Sequence, residues 1–227
     1  MNRDGVDKHE LELDLEWHLD RAETEYACGI FSVEARSMHR GQTAPPTPPT
    51  QTPPTQTTPT QTTPKTHEHG HEHGPTQAVF HVIQCADWVN IVALTDDDAI
   101  VLIRQWRAGV ARTTLEIPGG MMDPHEAPLE AAIRELREET GFEANDWQVI
   151  GVVEPNPAIQ SNRCHTFVAR GARRVHAPDF DPTEHCVTEV VPFSEVSNLV
   201  RDGSITHALV IAALHFETLR RTRQSTP

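Results

Sequence analysis

Positive charge is scarce in this chain of 227 residues: 19 lysines and arginines stand against 33 aspartates and glutamates, a formal net charge of −14. A diffuse negative field of that size excludes a binder of nucleic-acid backbones and any attraction to an anionic membrane. It does not exclude a small anionic ligand, because metal ions and local arginines reverse the sign inside one cleft. Long apolar runs are missing too. The longest, residues 208–214, is far too short to cross a bilayer, and the start of the chain is too charged for a secretory leader. Cysteine is limited to Cys28, Cys85, Cys164 and Cys186, with no C-x-x-C pair. That spacing excludes a disulfide framework and a zinc site, and it suits a reducing cytosol. The expectation is a soluble cytoplasmic protein that binds neither nucleic acid nor membranes.

Proline is plentiful, but in one place. Half of the 18 prolines fall between positions 45 and 75, in a run of Thr, Pro and Gln with little to bury. Residues 41–77 are expected to form a disordered, partly polyproline-II insert ending in a His-rich tract. The histidines of that tract suit loose Zn²⁺ or Ni²⁺ chelation, but without a fold to fix their geometry they are read as incidental. Residues 1–40 read as an acidic N-terminus and a first strand over 28–36, residues 78–220 as the main domain, and 221–227 as a disordered tail. Outside the insert about 190 residues remain, enough to bury roughly two-thirds of their unfolded surface in one core.

Strands are expected over 79–84, 88–94, 99–105, 115–117, 148–154, 165–170 and 187–192, with Thr95-Asp96-Asp97-Asp98 as a tight turn. Helices are expected over 127–140, 194–201 and 207–219. The elements mix without a repeating βαβ beat, so the class is α+β or an α/β/α sandwich.

The first helix carries the chemistry. Leu129, Ala132, Ile133 and Leu136 give an apolar stripe, Pro128 suits the first turn, and Gly141 ends the helix. Glu135, Glu138 and Glu139 fall within an arc of about 100° beside that stripe. Clustered carboxylates repel one another, whereas a solvated face alternates signs, as Glu130 and Arg134 do. The cluster makes sense around a strongly positive ion, and hard oxygen ligands suit Mg²⁺ or Mn²⁺. Gly119-Gly120 just upstream lets the backbone come close and offer a carbonyl.

Spacing turns this pattern into an identification. Gly120, five residues, Glu126, seven residues, then Arg134-Glu135-Leu136-Arg137-Glu138-Glu139-Thr140-Gly141-Phe142 resembles the Nudix box at every fixed position. An ordinary acidic helix explains the glutamates, but not Gly120, Glu126 and Gly141 in register with them. The resemblance covers residues 26–36 and 78–219. It implies a mixed sheet between helical layers, with a small N-terminal antiparallel β-layer. It also implies that Glu135 and Glu139 are the principal ligands of Mg²⁺ (Mn²⁺ a substitute), Glu138 an additional one and the Gly119 carbonyl a backbone ligand. Glu126 and Arg134 brace the helix, and Gly120 and Gly141 are structural.

The flanks narrow the group. Arg104-Gln105-Trp106-Arg107 ahead of Leu115-Glu116-Ile117-Pro118-Gly119-Gly120 is similar to a run in ADP-ribose and sugar-nucleotide pyrophosphatases. Arginines of that run contact the diphosphate, so Arg104 and Arg107, together with Glu116, are the implied substrate-binding residues. Pro157 and the stretch Asp202-Gly203-Ser204-Ile205 are also similar to that group. Its β-layer helps it dimerise, which implies a homodimer here, with 31–36 and 79–84 as the first two strands of the layer. Trp88 reads as core or as a partner for a purine ring.

One departure concerns the catalytic base. The group often has a glutamate where Asn162 stands, and a neutral amide cannot accept a proton from water. The candidates are then Glu184 and Glu189 from the acidic stretch 181–189, or Glu138 on the helix with Glu139 beside it. The implied reaction is hydrolysis of ADP-ribose, or a related nucleoside diphosphate sugar, to a nucleoside monophosphate and a sugar phosphate. GDP-mannose hydrolysis and a non-catalytic ADP-ribose sensor are the alternatives. The full set of glutamates and the lack of a basic patch speak against the sensor.

Overall fold

The computed structural model of the chain describes residues 16–40, 77–180 and 185–224, and these divide into two units. All but the last residue of the expected insert, and Glu184, lie outside the described residues.

The smaller unit (residues 16–25, 34–40 and 77–81) is built on a three-stranded sheet, with β1 Trp17–Ala27, β2 Phe31–Arg40 and β3 Gln77–Cys85 in that order. A three-residue turn joins β1 to β2, too short for anything but antiparallel neighbours. Asp20 meets His39 at 2.6 Å, and the Trp17 ring meets Phe80 edge-on at 5.1 Å. The expected first strand over 28–36 is corrected here, since β1 precedes it and residues 28–30 are the turn. Ten of the eleven β1 residues are exposed, so no alternation of burial announced it.

The larger unit (residues 26–33, 82–180 and 185–224) holds a mixed sheet. Its strands are β4 Trp88–Leu94, β5 Ala99–Arg107, β6 Arg112–Glu116, β7 Gly119–Met121, β9 Asp146–Val153, β10 Cys164–Arg170 and β12 Cys186–Pro192. The order is β12-β5-β4-β10-β9, with β4 and β10 parallel and the other paired strands antiparallel. Short β8 (Phe142–Glu143) and β11 (Arg173–Arg174) pair separately. Central strands β4 and β5 read as continuous apolar runs because both of their faces are covered.

Helix α1 (Pro128–Thr140) covers one face, where Ala131, Ala132 and Leu136 pack on Val89, Ile91, Ala93 and Val101. Helices α2 (Val196–Arg201) and α3 (Ala208–Gln224) cover the other, where Val196, Val210, Ala213 and Leu214 pack on Val92, Leu94, Ile100 and Leu102. The result is the α/β/α sandwich expected from the sequence. Two details differ. Leu129 and Ile133 are exposed, and the buried face of α1 is Ala131, Ala132, Glu135, Leu136, Glu139 and Thr140. The tail expected from residue 221 begins later, because α3 runs to Gln224 and Arg221 in its last turn bonds both carboxylate oxygens of Asp98.

The feature that positions the site is a split in the sheet. Strands β4 and β5 pair where Leu94 meets Ile100, beside their connecting turn. Farther along, β5 takes β6 as its neighbour on that edge and β4 takes β7. The two halves part, and a cleft opens between them.

Candidate active site

Strand β7 and helix α1 form one wall of this site. The Gly119 N–H donates to Glu139 Oε2 at 2.9 Å. A Cβ on Gly119 would strike the Val89 carbonyl oxygen, so this glycine is required by close approach rather than by turn geometry, whereas one on Gly120 would displace the Glu135 carboxylate. Pro128 sits at the first position of α1, and the Ala127 N–H donates to Glu130 at 3.1 Å. At the other end Gly141 adopts φ 72°, its N–H closing on the Arg137 carbonyl at 2.8 Å. A side chain there would strike the His176 carbonyl.

Arg134 knits the helix to the loop before it. Its Nε and Nη2 both donate to Glu126 at 2.9 Å, its Nη1 to Glu135 at 2.8 Å and Glu138 at 3.1 Å, and its Nη2 also to the Met121 carbonyl at 3.0 Å. The guanidinium hydrogen bonds hold the Glu126 carboxyl below its usual range, and Glu126 in turn raises Arg134. Glu135 and Glu139 are buried, whereas Glu138 is half-exposed and opens onto a separate hollow with Arg137, His176 and Asp179. The donor set of the three glutamates is all hard oxygen. Two of the carboxylates converge on the single Arg134 Nη1, the kind of position a cation takes. A divalent cation fits this chemistry. Among the described residues, no three His, Cys, Asp or Glu side chains are already drawn together as a cage.

The split-sheet cleft, about 400 Å³ in volume, lies on the far side of Gly119-Gly120. Residues of β4 (Trp88, Val89, Asn90), β5 (Gln105, Arg107), β6 (Glu116) and β7 line it, with His207 and Leu209 at the start of α3. Glu116 is buried, which on its own would raise its carboxyl. Hydrogen bonds from His207, Arg107 and Thr114 overcome that cost and hold it far below the usual carboxylate range. Arg107 is raised by the same pair. Trp88 faces the cleft and is not part of the core, which corrects one of its two expected readings.

The structure therefore brings Arg107 and Glu116 to the cleft, and Glu135, Glu138, Glu139, Gly119 and Gly120 to the wall beside it. It leaves two expected residues elsewhere. Arg104 forms an ion pair with Glu189 on the face covered by α3, because strand alternation turns both away from α1. In this arrangement Arg104 does not reach the cleft and Glu189 is no candidate for the base. Asn162 is buried, and neither its Oδ1 nor its Nδ2 has a hydrogen-bond partner.

Four residues escaped the sequence reading. Cys186 places its thiol 3.7 Å from Glu139 Oε1, and the His207 Nδ1–H donates to Glu116 Oε2 at 2.9 Å. Asn90 and Gln105 are buried amides in the cleft. Asn90 had a visible signal, a lone amide inside the apolar strand Trp88-Val89-Asn90-Ile91-Val92, and Gln105 stands inside the Arg104-Gln105-Trp106-Arg107 run.

A helix rich in glutamate, braced by one arginine and set against a glycine pair, is the geometry of a recurrent domain. The family model described as the NUDIX domain matches residues 87–214, more than half of the chain. The chain belongs to this family. An ADP-ribose pyrophosphatase of Mycobacterium tuberculosis is 33% identical over 128 residues, 56% of this chain and 62% of the relative. An ADP-ribose pyrophosphatase of Bacillus subtilis is 28% identical over 138 residues, 60% of this chain and 75% of that protein. The crystal structure of an ADP compounds hydrolase shares the fold, with a TM-score of 0.69 and 22% identity over 93% of this chain and 97% of the other. As a Nudix protein the chain is expected to need a divalent metal, and no helix among its described residues is long and apolar enough to cross a membrane.

Proposed function

We propose that this Nudix protein hydrolyses the diphosphate of ADP-ribose, or of a closely related nucleoside diphosphate sugar, with Mg²⁺ as its metal and Mn²⁺ as a substitute. The observation that carries the reading is the juxtaposition of the α1 glutamates with a cleft that presents Arg107 across two glycines. The names of the relatives support the choice of substrate.

Glu135 and Glu139 would hold the metal, with Glu138 and the Gly119 backbone as further ligands. Bound there, a divalent cation would offset the charge of the diphosphate and polarise its phosphorus. Arg107 binds a phosphate oxygen, its orientation fixed by Glu116. Glu138, half-exposed and bonded by Arg134 at one oxygen, is the candidate to accept the proton of the attacking water, although it opens onto the hollow beside Arg137 and His176 rather than onto the cleft. The products are a nucleoside monophosphate and a sugar phosphate. A homodimer, which the resemblance of the N-terminal β-layer implies, belongs to the same reading.

The test is release of AMP, GMP or UMP from ADP-ribose, GDP-mannose, UDP-glucose and NADH, with Mg²⁺ and with Mn²⁺, beside a Glu139→Gln control. Turnover of ADP-ribose that is lost in the control is the expected result. Turnover of GDP-mannose alone moves the substrate, and silence across the panel with ADP-ribose still raising the melting temperature means a sensor.

A further inference from the structure

Glu116 was grouped with the substrate-binding residues, but its hydrogen-bonding capacity is spent within the protein. Oε1 accepts from Arg107 Nε at 3.0 Å and Thr114 Oγ1 at 2.5 Å, while Oε2 accepts from Arg107 Nη2 at 2.9 Å and is bonded to His207 Nδ1 at 2.9 Å. A carboxylate has about four lone-pair sites, and all are taken. Glu116 therefore aims other groups rather than touching a ligand. Arg107 is left with Nη1 and His207 with Nε2 to offer to the cleft they both line.

Two further groups in the same cleft lack partners. Asn90 and Gln105 are each 8% exposed, and Asn90 Nδ2 and Gln105 Oε1 are buried without a hydrogen bond. Leaving such atoms unsatisfied is costly, so their presence in a concave, partly apolar site points to a ligand that completes them. An amide offers both a donor and an acceptor, and so does a hydroxyl. Phosphate has no proton to give Gln105 Oε1, and an aliphatic group would strand both amides.

Position chooses between sugar and base. The cleft borders Gly119 and Gly120, whose backbone packs directly on Glu139 and Glu135. In a nucleoside diphosphate sugar the groups bonded to the diphosphate are sugars on both sides, and the base lies one ribose farther away. The moiety beside a diphosphate held at these glycines is a sugar.

We propose that Asn90, Gln105 and His207 form a subsite that reads the hydroxyl groups of the sugar next to the diphosphate, with Glu116 as the positioning residue that orients His207 and Arg107. This rests on the nucleoside diphosphate sugar reading above. Its test compares ADP-ribose, an ADP-ribose analogue deoxygenated on the sugar distal to adenine, and GDP-ribose. Each is measured as a substrate with Mg²⁺, and by equilibrium calorimetry with no divalent cation present.

The wild type is expected to prefer the fully hydroxylated sugar by about tenfold or more, chiefly in KM and Kd. Gln105→Met, which keeps the length of the side chain, should lose most of that preference at an unchanged melting temperature. His207→Phe should do the same. Hydrolysis of both ADP-ribose compounds with no preference overturns the subsite and leaves the activity standing. A preference in binding without hydrolysis does the reverse. A wild type that discriminates only between adenine and guanine also overturns it. The wild-type comparison decides the matter even if a variant fails to fold.

Discussion

Two acidic places in this molecule face each other across Gly119-Gly120, and they are built on opposite plans. Around Glu116 one carboxylate receives four hydrogen bonds, two of them from a guanidinium. Around α1 the sharing is reversed, since Glu126, just before the helix, and Glu135 and Glu138 on it all draw on the single guanidinium of Arg134. The first place serves as scaffold. The second shares one positive group among several carboxylates, and a divalent cation would offset the charge that remains. Burial alone does not separate them, because Glu116 and Glu139 are each 2% exposed. What separates them is how a guanidinium is shared.

The sharpest way to break the contrast is to neutralise the α1 side. Glu135→Gln and Glu139→Gln are expected to lower kcat by about 10³-fold, comparable with removal of a group that stabilises the transition-state charge. The wild type should gain thermal stability on adding Mg²⁺ and the variants should not, as a melting curve with and without EDTA would show.

Neutralising the Glu116 side should cost stability instead. Glu116→Gln breaks a buried ion pair, and because Arg107 is 41% exposed the expected loss is about 2 kcal/mol, less than for a fully buried pair. The Glu116 carboxyl is depressed in the folded state, so its contribution is whole above the unfolded carboxylate value near about pH 4.3. It is lost as the pH falls through the folded value. The stability gap between wild type and variant should therefore narrow in acid, measured as denaturant midpoints at pH 7 and pH 3.

Smaller effects sharpen the picture. Glu126→Ala removes the bidentate partner of Arg134 and should weaken activity or metal affinity by about 10–100-fold, the range seen when a residue that orients metal ligands is lost. Least of all, Arg104→Ala and Glu189→Ala disrupt an exposed pair on the far face and should cost under about 1 kcal/mol, with KM for ADP-ribose little changed. A tenfold rise in KM for Arg104→Ala would show that Arg104 reaches the substrate by another route.

Local patterns in the sequence carried much of this. Continuous apolar runs marked β4 and β5 because both faces of these strands are covered, and Pro128 and Gly141 bounded α1 to within one residue. The glutamates and their brace were readable because fixed spacing on a helix fixes their arc. Strand parity also separates Arg104 from Arg107, whose odd spacing puts them on opposite faces. The apolar stripe of α1 was misjudged because the buried face contains Glu135 and Glu139, which a hydrophobic pattern assigns to solvent. His207 and Gln105 depend on where a split sheet brings distant strands, and no local pattern encodes that. Strand β1 lacked any signal, being polar and exposed along its length.

The collision at Gly120 also constrains how such a chain can evolve. Alanine at 120 would push the Glu135 carboxylate, the far end of a flexible side chain, off its present place. A lineage that loses this glycine keeps its fold but displaces Glu135, and with it the ligand that this residue would offer. A descendant that keeps the fold but has abandoned the chemistry is therefore free to change both positions.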